Sequence, residues 1–261
     1  MNILFFGDVV GRPGREALVK ILPKLKKKYE ADFVIANGEN LAHGRGITKK
    51  TASFVLKNGV DLLTGGNHIF AQEEGLSLLA DKEVPIIRPA NYKEGTPGKS
   101  EFILKKEDKK IFVFNLIGRV FMKDEVDCPF RKADEILERV KKEKFQAVIV
   151  DFHAEVTSEK KAMGHYLAGR VSAFVGTHTH IQTNDPMILK EKTAYITDLG
   201  MVGVADSVLG ADKERVLAQF LYNEPFRYEI SEEGEVEIDG VFLKIEKSKT
   251  TQIKIIKEFV S

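Results

Sequence analysis

Short apolar runs alternate with longer amphipathic stretches over the first two thirds of the chain. The apolar runs predict strands over residues 3–6, 33–36, 62–63, 111–116, 147–150 and 173–175. Apolar residues at helical spacing predict helices over residues 14–28, 48–58, 72–80, 132–144 and 158–167. Pro23 is expected to bend or divide the first helix, and Thr48 to cap the second. Alternating units of this kind indicate a largely parallel sheet covered on both faces.

The pattern changes after about residue 185. Successive strands are predicted over residues 193–196, 226–230, 236–238, 241–245 and 253–256, with a turn at Asp239-Gly240. They indicate a second, mostly antiparallel sheet, and residues 202–215 are expected to form a polar connection. Because no proline- or serine-rich linker separates the two regions, we predict a single α/β domain over residues 1–261. It would contain two packed mixed β-sheets flanked by helices.

Composition excludes several classes of protein. The 261 residues include 40 Lys and Arg against 39 Asp and Glu, a net charge of +1, so no overall basic field favours stable nucleic-acid binding. The single cysteine, Cys128, excludes an internal disulfide and a four-cysteine zinc site. No apolar run approaches the roughly 20 residues that span a bilayer, and the first residues resemble a strand, not a signal peptide. We therefore expect a cytoplasmic protein without membrane contact.

Residues that can bind metal follow five of the predicted strands. These strand ends carry Asp8, then Glu39 and Asn40, then Asn67 and His68, then His153, and finally His178 and His180. Parallel strands open their carboxyl ends onto one edge of a sheet, which is the usual ligand crevice of α/β folds. Each of these residues, taken alone, is as well explained by a turn or a helix cap. Five strands that all end in a potential ligand favour a metal centre. His165 is expected to pack or face solvent, and the position of His43 stays open.

The number of candidate ligands suggests two ions. One ion with an open catalytic position uses about three protein ligands. Seven candidates are available: Asp8, Glu39, Asn40, Asn67, His153, His178 and His180. Because they offer nitrogen and oxygen but no thiolate, they suit a transition metal such as iron, manganese or zinc. Two such ions about 3.5–4 Å apart are a known arrangement for phosphoryl hydrolysis.

At these residues the sequence resembles the calcineurin-like metallophosphoesterases, and more closely the YmdB-like 2′,3′-cyclic-nucleotide 2′-phosphodiesterases of bacteria. The resemblance covers nearly the whole chain, and its most specific segments are residues 36–40, 64–68, 88–91 and 176–180. The wider superfamily has Asp-x-His near its start, a bridging aspartate, and an aspartate after Asn-His. Here Asp8 is followed by two valines, Glu39 replaces the aspartate, and Ile69 follows His68. These departures match the YmdB-like branch, in which an asparagine replaces the missing histidine.

The resemblance implies a calcineurin-like fold and two metal ions, most often iron or manganese. The first ion would be bound by Asp8, Glu39, Asn40 and His180, and the second by Glu39, Asn67, His153 and His178. Glu39 would bridge them, and His68 would not be a ligand. A bridging hydroxide would attack phosphorus while His68 protonates the leaving ribose oxygen, converting a 2′,3′-cyclic nucleotide such as 2′,3′-cyclic AMP into a 3′-nucleotide.

Other functions remain open at this stage. A general metallophosphatase or phosphodiesterase would act on other small phosphate esters, and a regulatory protein would bind a nucleotide and use its metals structurally. Residues 7–11 lack the spacing of a dinucleotide-binding loop. Arg45, Arg88 and Arg119 are candidates either for phosphate or base contacts or for surface ion pairs. The expected partner is a small nucleotide, and homo-oligomerisation stays open.

Overall fold

Alternating side chains along the first strand, β1 (Asn2–Val9), show how the core is layered. The computed structural model describes residues 1–222 and 229–261. Ile3 and Phe5 belong to the apolar cluster between the two sheets. Leu4 and Phe6 belong to a cluster on the opposite face, which includes residues of the first two helices. Because successive strand residues point to opposite faces, one apolar run serves two layers.

The described residues form two six-stranded mixed sheets packed face to face. The first has the order β3-β2-β1-β10-β11-β12, and the second β4-β5-β6-β7-β9-β8. The remaining strands of the first sheet are β2 (Phe33–Asn37), β3 (Leu62–Thr64), β10 (Met201–Val204), β11 (Val236–Glu246) and β12 (Lys249–Val260). Those of the second are β4 (Glu101–Lys106), β5 (Lys109–Ile117), β6 (Ala147–His153), β7 (Ala173–Thr177), β8 (Met187–Leu189) and β9 (Thr193–Ile196).

Six helices are present among the described residues. They are α1 (Gly11–Tyr29), α2 (Lys49–Lys57), α3 (Glu73–Ala80), α4 (Pro129–Val140), α5 (Thr157–Leu167) and α6 (Lys213–Tyr222). Residues of α1 and α2 join the outer cluster of the first sheet, and residues of α4 and α5 join that of the second. Thr48 caps α2 as predicted, through a reciprocal capping box with Thr51. Helix α1 continues through Pro23 as one element, so the predicted division is absent. None of the helices in the described part of the chain is long and apolar enough to cross a membrane.

The predicted fold class is confirmed, but the assignment of strands to sheets was wrong. The early strands divide between the sheets: β1, β2 and β3 lie in the first, and β5, β6 and β7 in the second. Likewise, β9 pairs parallel with β7, whereas β10 and β11 both pair with β1. The predicted second, antiparallel sheet is therefore not a separate unit, because the last strands extend the sheet that the first strand begins.

The predicted turn at Asp239-Gly240 was also wrong, because β11 runs through it without a break. Gly240 is needed there for close packing: a Cβ atom would lie 2.5 Å from the carbonyl oxygen of Phe5 on β1. The hairpin turn lies instead at Lys247 and Ser248, which both have positive φ.

Several further elements were not predicted. No pattern indicated β4 or β8, and the predicted connection over residues 202–215 contains most of β10 and the start of α6. The predicted strand over residues 226–230 lies outside the described residues except at its last two positions. Of these, Ile230 forms an isolated bridge with Ala211.

Candidate metal centre

The strand-end residues of both sheets meet in one connected group. Asp8 lies within β1, Glu39 and Asn40 follow β2, and Asn67 and His68 follow β3, all in the first sheet. His153 ends β6, and His178 and His180 follow β7, in the second sheet. Every one of these eight side chains lies within 4.0 Å of at least one other. The sequence predicts one sheet edge for these residues, whereas they lie at the strand ends of two sheets.

Asp8, Asn40 and His180 form one side of the group. The Nε2 atom of His180 lies 3.8 Å from Oδ1 of Asp8 and 3.2 Å from Nδ2 of Asn40. Asp8 is fully buried and Asn40 nearly so. The Nδ1 atom of His180 contacts the carbonyl oxygen of Leu209 at 2.9 Å, which leaves Nε2 directed at the group.

Asn67, His153 and His178 form the other side. The Nε2 atom of His153 lies 3.1 Å from Oδ1 of Asn67 and 3.0 Å from Nδ1 of His178. Glu39 contacts both sides, because its Oε1 atom is 3.3 Å from Nε2 of His153 and 3.3 Å from Nδ2 of Asn40. Glu39, His153 and His178 alone offer three ligand atoms within 4.8 Å of one another.

Hydrogen bonds fix the orientation of the His153 ring. The Thr177 hydroxyl donates to Oδ1 of Asp151 at 2.8 Å, so its oxygen accepts from Nδ1 of His153 at 2.9 Å. The Nδ1 atom therefore carries a proton, and Nε2, which faces Glu39, is the nitrogen that can bind a metal once it is deprotonated. A carboxylate or hydroxyl behind a histidine commonly orients metal-binding imidazoles in this way.

The segment from Asn37 to Asn40 turns sharply at the end of β2. The side-chain oxygen of Asn37 accepts a hydrogen bond from the backbone N–H of Glu39 at 3.1 Å, which directs the glutamate towards the group. Gly66 closes the opposite wall. A Cβ atom there would lie 2.3 Å from Oε2 of Glu39 and 2.3 Å from Nε2 of His153, so no side chain fits beside these two groups.

The His178-Thr179-His180 segment has a strained backbone. His178 and His180 have φ values of 104° and 64°, a region that non-glycine residues rarely adopt. Asp8 accepts from the N–H of His178 at 3.1 Å. Asp198 accepts from both the N–H and the hydroxyl of Thr179, at 3.1 and 2.7 Å. These contacts hold both imidazoles in the group.

Burial and crowding shift the pKa values of the group in opposite directions. Burial raises the pKa of Asp8. For Glu39, the histidines His153 and His68 outweigh burial and lower the pKa. Burial lowers the pKa of His153, but Glu39 and the other carboxylates outweigh it and raise that pKa to about 9. Burial, reinforced by His153, lowers the pKa of His178 to about 3. Such opposed shifts are typical of functional sites.

His68 lies between this group and an open cavity. Its Nδ1 atom is 2.8 Å from Oδ1 of Asn40 and 3.4 Å from Oε1 of Glu39. The cavity has a volume of about 350 Å³, and its lining residues include Glu39, His68, Arg45, Glu155, His178 and Leu209. That volume is at the lower end of small-molecule sites. A larger cavity of about 510 Å³, lined by residues of α1 and α2, contains none of the predicted site residues.

Some contributors to the site were not predicted. Glu155 lies on the cavity wall with Oε2 at 3.0 Å from Nε2 of His178. Asp151 and Asp198 act through Thr177 and Thr179. Only Asp151 had a local signal, because it directly follows the predicted strand over residues 147–150 and lies two residues before His153. His43 and His165 are both exposed.

The donor set fits a bound cation. Oδ1 of Asp8 is buried and has no hydrogen-bond partner among the described residues. An unpaired buried carboxylate oxygen is costly unless a cation or another donor satisfies it. Imidazole nitrogens and carboxylate or amide oxygens suit a first-row transition metal.

Two packed mixed sheets with histidines, carboxylates and amides at their strand ends define a calcineurin-like metallophosphoesterase fold, a class that implies divalent metal ions. The family model described as YmdB-like protein matches residues 4–257, and the chain belongs to that family. It is 46% identical over 256 residues to the 2′,3′-cyclic-nucleotide 2′-phosphodiesterase of Bacillus subtilis, covering 98% of this chain and 95% of that one.

Solved structures agree with this assignment. A phosphatase from Mycoplasma pneumoniae has a TM-score of 0.92 at 33% identity, covering 99% of this chain and 93% of that chain. A 5′-nucleotidase precursor from Thermus thermophilus has a TM-score of 0.58 at 12% identity, covering 98% of this chain and 54% of that chain. The second likeness shows the fold alone.

Proposed function

We propose that this protein is a dinuclear metal-dependent phosphodiesterase that opens 2′,3′-cyclic nucleotides at the 2′ oxygen and leaves 3′-nucleotides. One observation carries the proposal: Glu39 contacts two ligand groups on opposite sides, beside a histidine that faces an open cavity. The 46% identity to a phosphodiesterase of that specificity supports the substrate class.

The two halves of the group would each hold one ion. Asp8, Asn40 and His180 would bind the first, Asn67, His153 and His178 the second, and Glu39 both. Iron or manganese suits these ligands. When bound, the ions would supply Lewis-acid activation of water and neutralise charge on the phosphate.

Asn40 would need to turn its amide to act as a ligand. At present its oxygen faces His68 and its nitrogen faces His180 and Glu39. Because a metal binds the amide oxygen, a rotation of about 180° exchanges these contacts. Glu39 Oε1, at 3.4 Å, would then be the acceptor that remains for the Nδ1 proton of His68.

His68 would donate a proton to the leaving 2′ oxygen. Contacts with Asn40 and Glu39 occupy its Nδ1 atom, which leaves Nε2 for the substrate side. Histidine can carry out this task because its imidazole exchanges a proton near neutral pH. Burial lowers the pKa of His68, and the Glu39 carboxylate opposes that shift. Asn67 precedes it directly, yet contacts His153, so the two neighbours serve different parts of the site.

Turnover and product analysis test the proposal. Protein loaded with Mn²⁺ or Fe²⁺ is expected to convert 2′,3′-cyclic AMP into 3′-AMP and not 2′-AMP. Glu39→Gln should lose metal content and activity together, because an amide cannot supply charge to two cations. Release of 2′-AMP, or tight binding without turnover, would contradict the proposal. Full occupancy of both ions in Glu39→Gln would contradict the bridging role.

A further inference from the structure

Three arginines could contact an anionic substrate, and the structure shows which of them lines the cavity. The guanidinium of Arg88 donates to the carbonyl oxygens of Pro89, Thr96 and Pro97, so it holds a loop together. Arg119 is exposed and is absent from the cavity wall. Arg45 lines the cavity directly, beside His68.

The loop that carries Arg45 is fixed to the site. The N–H of Gly46 donates to the carbonyl oxygen of Glu39 at 2.6 Å, and the N–H of Arg45 to that of Ala42 at 2.9 Å. The side-chain amide of Gln72 donates to the carbonyl oxygen of Arg45 at 2.9 Å. Gly46 has a φ of 84° that a side chain would strain. These hydrogen bonds fix the main chain of Arg45 relative to Glu39, and its side chain lines the cavity.

The charge of Arg45 is available to a ligand. Across residues 1–222 and 229–261, no carboxylate oxygen lies within 4 Å of its guanidinium. Its charge nevertheless reaches His68, since it adds to burial in lowering the pKa of that histidine. Arg45 is exposed at the rim, whereas Glu39 on the floor is 1% exposed.

Resting on the proposed function, we propose that Arg45 binds a second phosphate, on the 5′ side of the ribose whose cyclic phosphate is hydrolysed. The cyclic phosphate carries one negative charge, which the ions held by the residues on the floor would neutralise. An unpaired guanidinium at the rim is then free for another anion, and guanidinium binds phosphate oxygens strongly. The preferred substrates are 2′,3′-cyclic nucleotides with a 5′ phosphate group.

Substrates of this kind are formed by one class of RNA cleavage, which must act before this protein. When a ribose 2′ hydroxyl in RNA attacks the adjacent phosphate, the 5′ oxygen of the next nucleotide leaves and a 2′,3′-cyclic phosphate remains. The 3′-terminal nucleotide of such a fragment carries a phosphodiester on its 5′ side. A second cleavage of the same kind would leave a 5′ hydroxyl there, whereas hydrolysis of the preceding P–O3′ bond leaves a free 5′ monoester. Both the diester and the monoester offer anionic phosphate oxygens to Arg45.

Three substrates distinguish these cases: 2′,3′-cyclic AMP, its 5′-phosphorylated form, and an adenosine dinucleotide ending in a 2′,3′-cyclic phosphate. At low salt, wild type should show about tenfold higher kcat/KM for the 5′-phosphorylated form than for 2′,3′-cyclic AMP. Arg45→Gln should reduce that ratio to near one, and Arg45→Lys should keep part of it. Lys50→Gln, with the same change of charge at an exposed position outside this cavity, should keep the wild-type ratio. The dinucleotide shows whether a diester suffices.

The proposal fails if wild type has no preference, or if Arg45→Gln slows all three substrates equally. Equal slowing would place Arg45 on the scissile phosphate or the base. Binding of adenosine 3′,5′-bisphosphate and of 3′-AMP to the metal-loaded proteins gives a readout without turnover. Arg45→Gln should weaken only the bisphosphate. If wild type binds these ligands as expected but hydrolyses nothing, the proposed function fails while the role of Arg45 stands.

Discussion

The Nζ atom of Lys160 lies 2.6 Å from Oδ2 of Asp198, and both side chains are buried. The same carboxylate oxygen accepts the two hydrogen bonds from Thr179. This ion pair therefore sits behind the strained segment that carries His178 and His180, and it links helix α5 to the candidate metal centre.

Lys160→Met should destabilise the protein by about 3–5 kcal/mol, because it leaves the Asp198 charge buried without its cation. Metal content should fall as well, since the loop around Thr179 loses its support. Urea unfolding and metal analysis measure the two effects. Lys161→Met, at the exposed neighbouring position, should change stability by less than about 1 kcal/mol. Equal losses of stability and metal in both variants would show that the buried Lys160–Asp198 pair contributes no more than an exposed lysine does.

Gly66→Ala should remove metal binding with moderate loss of stability. The added Cβ would displace Glu39 and His153, and overpacking of this kind costs about 1–3 kcal/mol. Gly95→Ala is the matched control: its Cβ meets no atom within 4 Å, although its φ of 85° carries about 1–2 kcal/mol of strain. Similar melting temperatures with metal lost only in Gly66→Ala would agree with the prediction, and full metal content in that variant would refute it.

His178→Ala and His180→Ala should affect different ions. His178 contacts His153 on one side of the group, whereas His180 faces Asp8 and Asn40 on the other. Anomalous scattering from crystals of the two variants would locate the remaining ion in each. Loss of the same ion from both variants would contradict the assignment of ligands to two centres.

Asp239 should make stability depend on pH. Burial raises its pKa to about 6, although Lys257 lies 3.0 Å away and opposes the shift. The folded protein thus holds this proton more tightly than the unfolded chain, whose value is 3.8. Between pH 4 and 6 the unfolded state releases it first, so the free energy of unfolding falls as pH rises, by about 3 kcal/mol in total.

Asp239→Asn should lack this decline, because the amide resembles the protonated carboxyl group. The stability of the variant relative to wild type should therefore rise from pH 4 to pH 6 and then stay level. Urea unfolding at half-unit steps measures it. Glu246→Gln, at an exposed position on the same strand, should show no such rise. A relative stability of Asp239→Asn that does not change with pH would mean that Lys257 fully compensates burial.

Asp239 also shows where prediction from sequence stops. Asp-Gly is a strong local turn signal, but here the glycine is required by the close approach of β1, more than 230 residues away in sequence. Lys160 gave no signal either, because a lysine in an amphipathic helix is normally exposed and its partner lies 38 residues further along the chain. The strand ends could be predicted, since a buried apolar run followed by glycine and a polar residue is a local pattern. Which sheet each strand joins depends on contacts that no local pattern reports.

His68 should be needed for the chemical step and not for metal assembly. A general acid typically contributes about 10²–10⁴-fold in rate. His68→Ala should therefore keep both metals and bind nucleotide, yet turn over 2′,3′-cyclic AMP far more slowly. Bis-p-nitrophenyl phosphate releases a phenolate that needs little protonation, so its hydrolysis should suffer much less. Measuring kcat for both substrates alongside metal content tests this. Loss of a metal would make His68 a ligand, and equal slowing of both substrates with metals intact would assign it to positioning the phosphate.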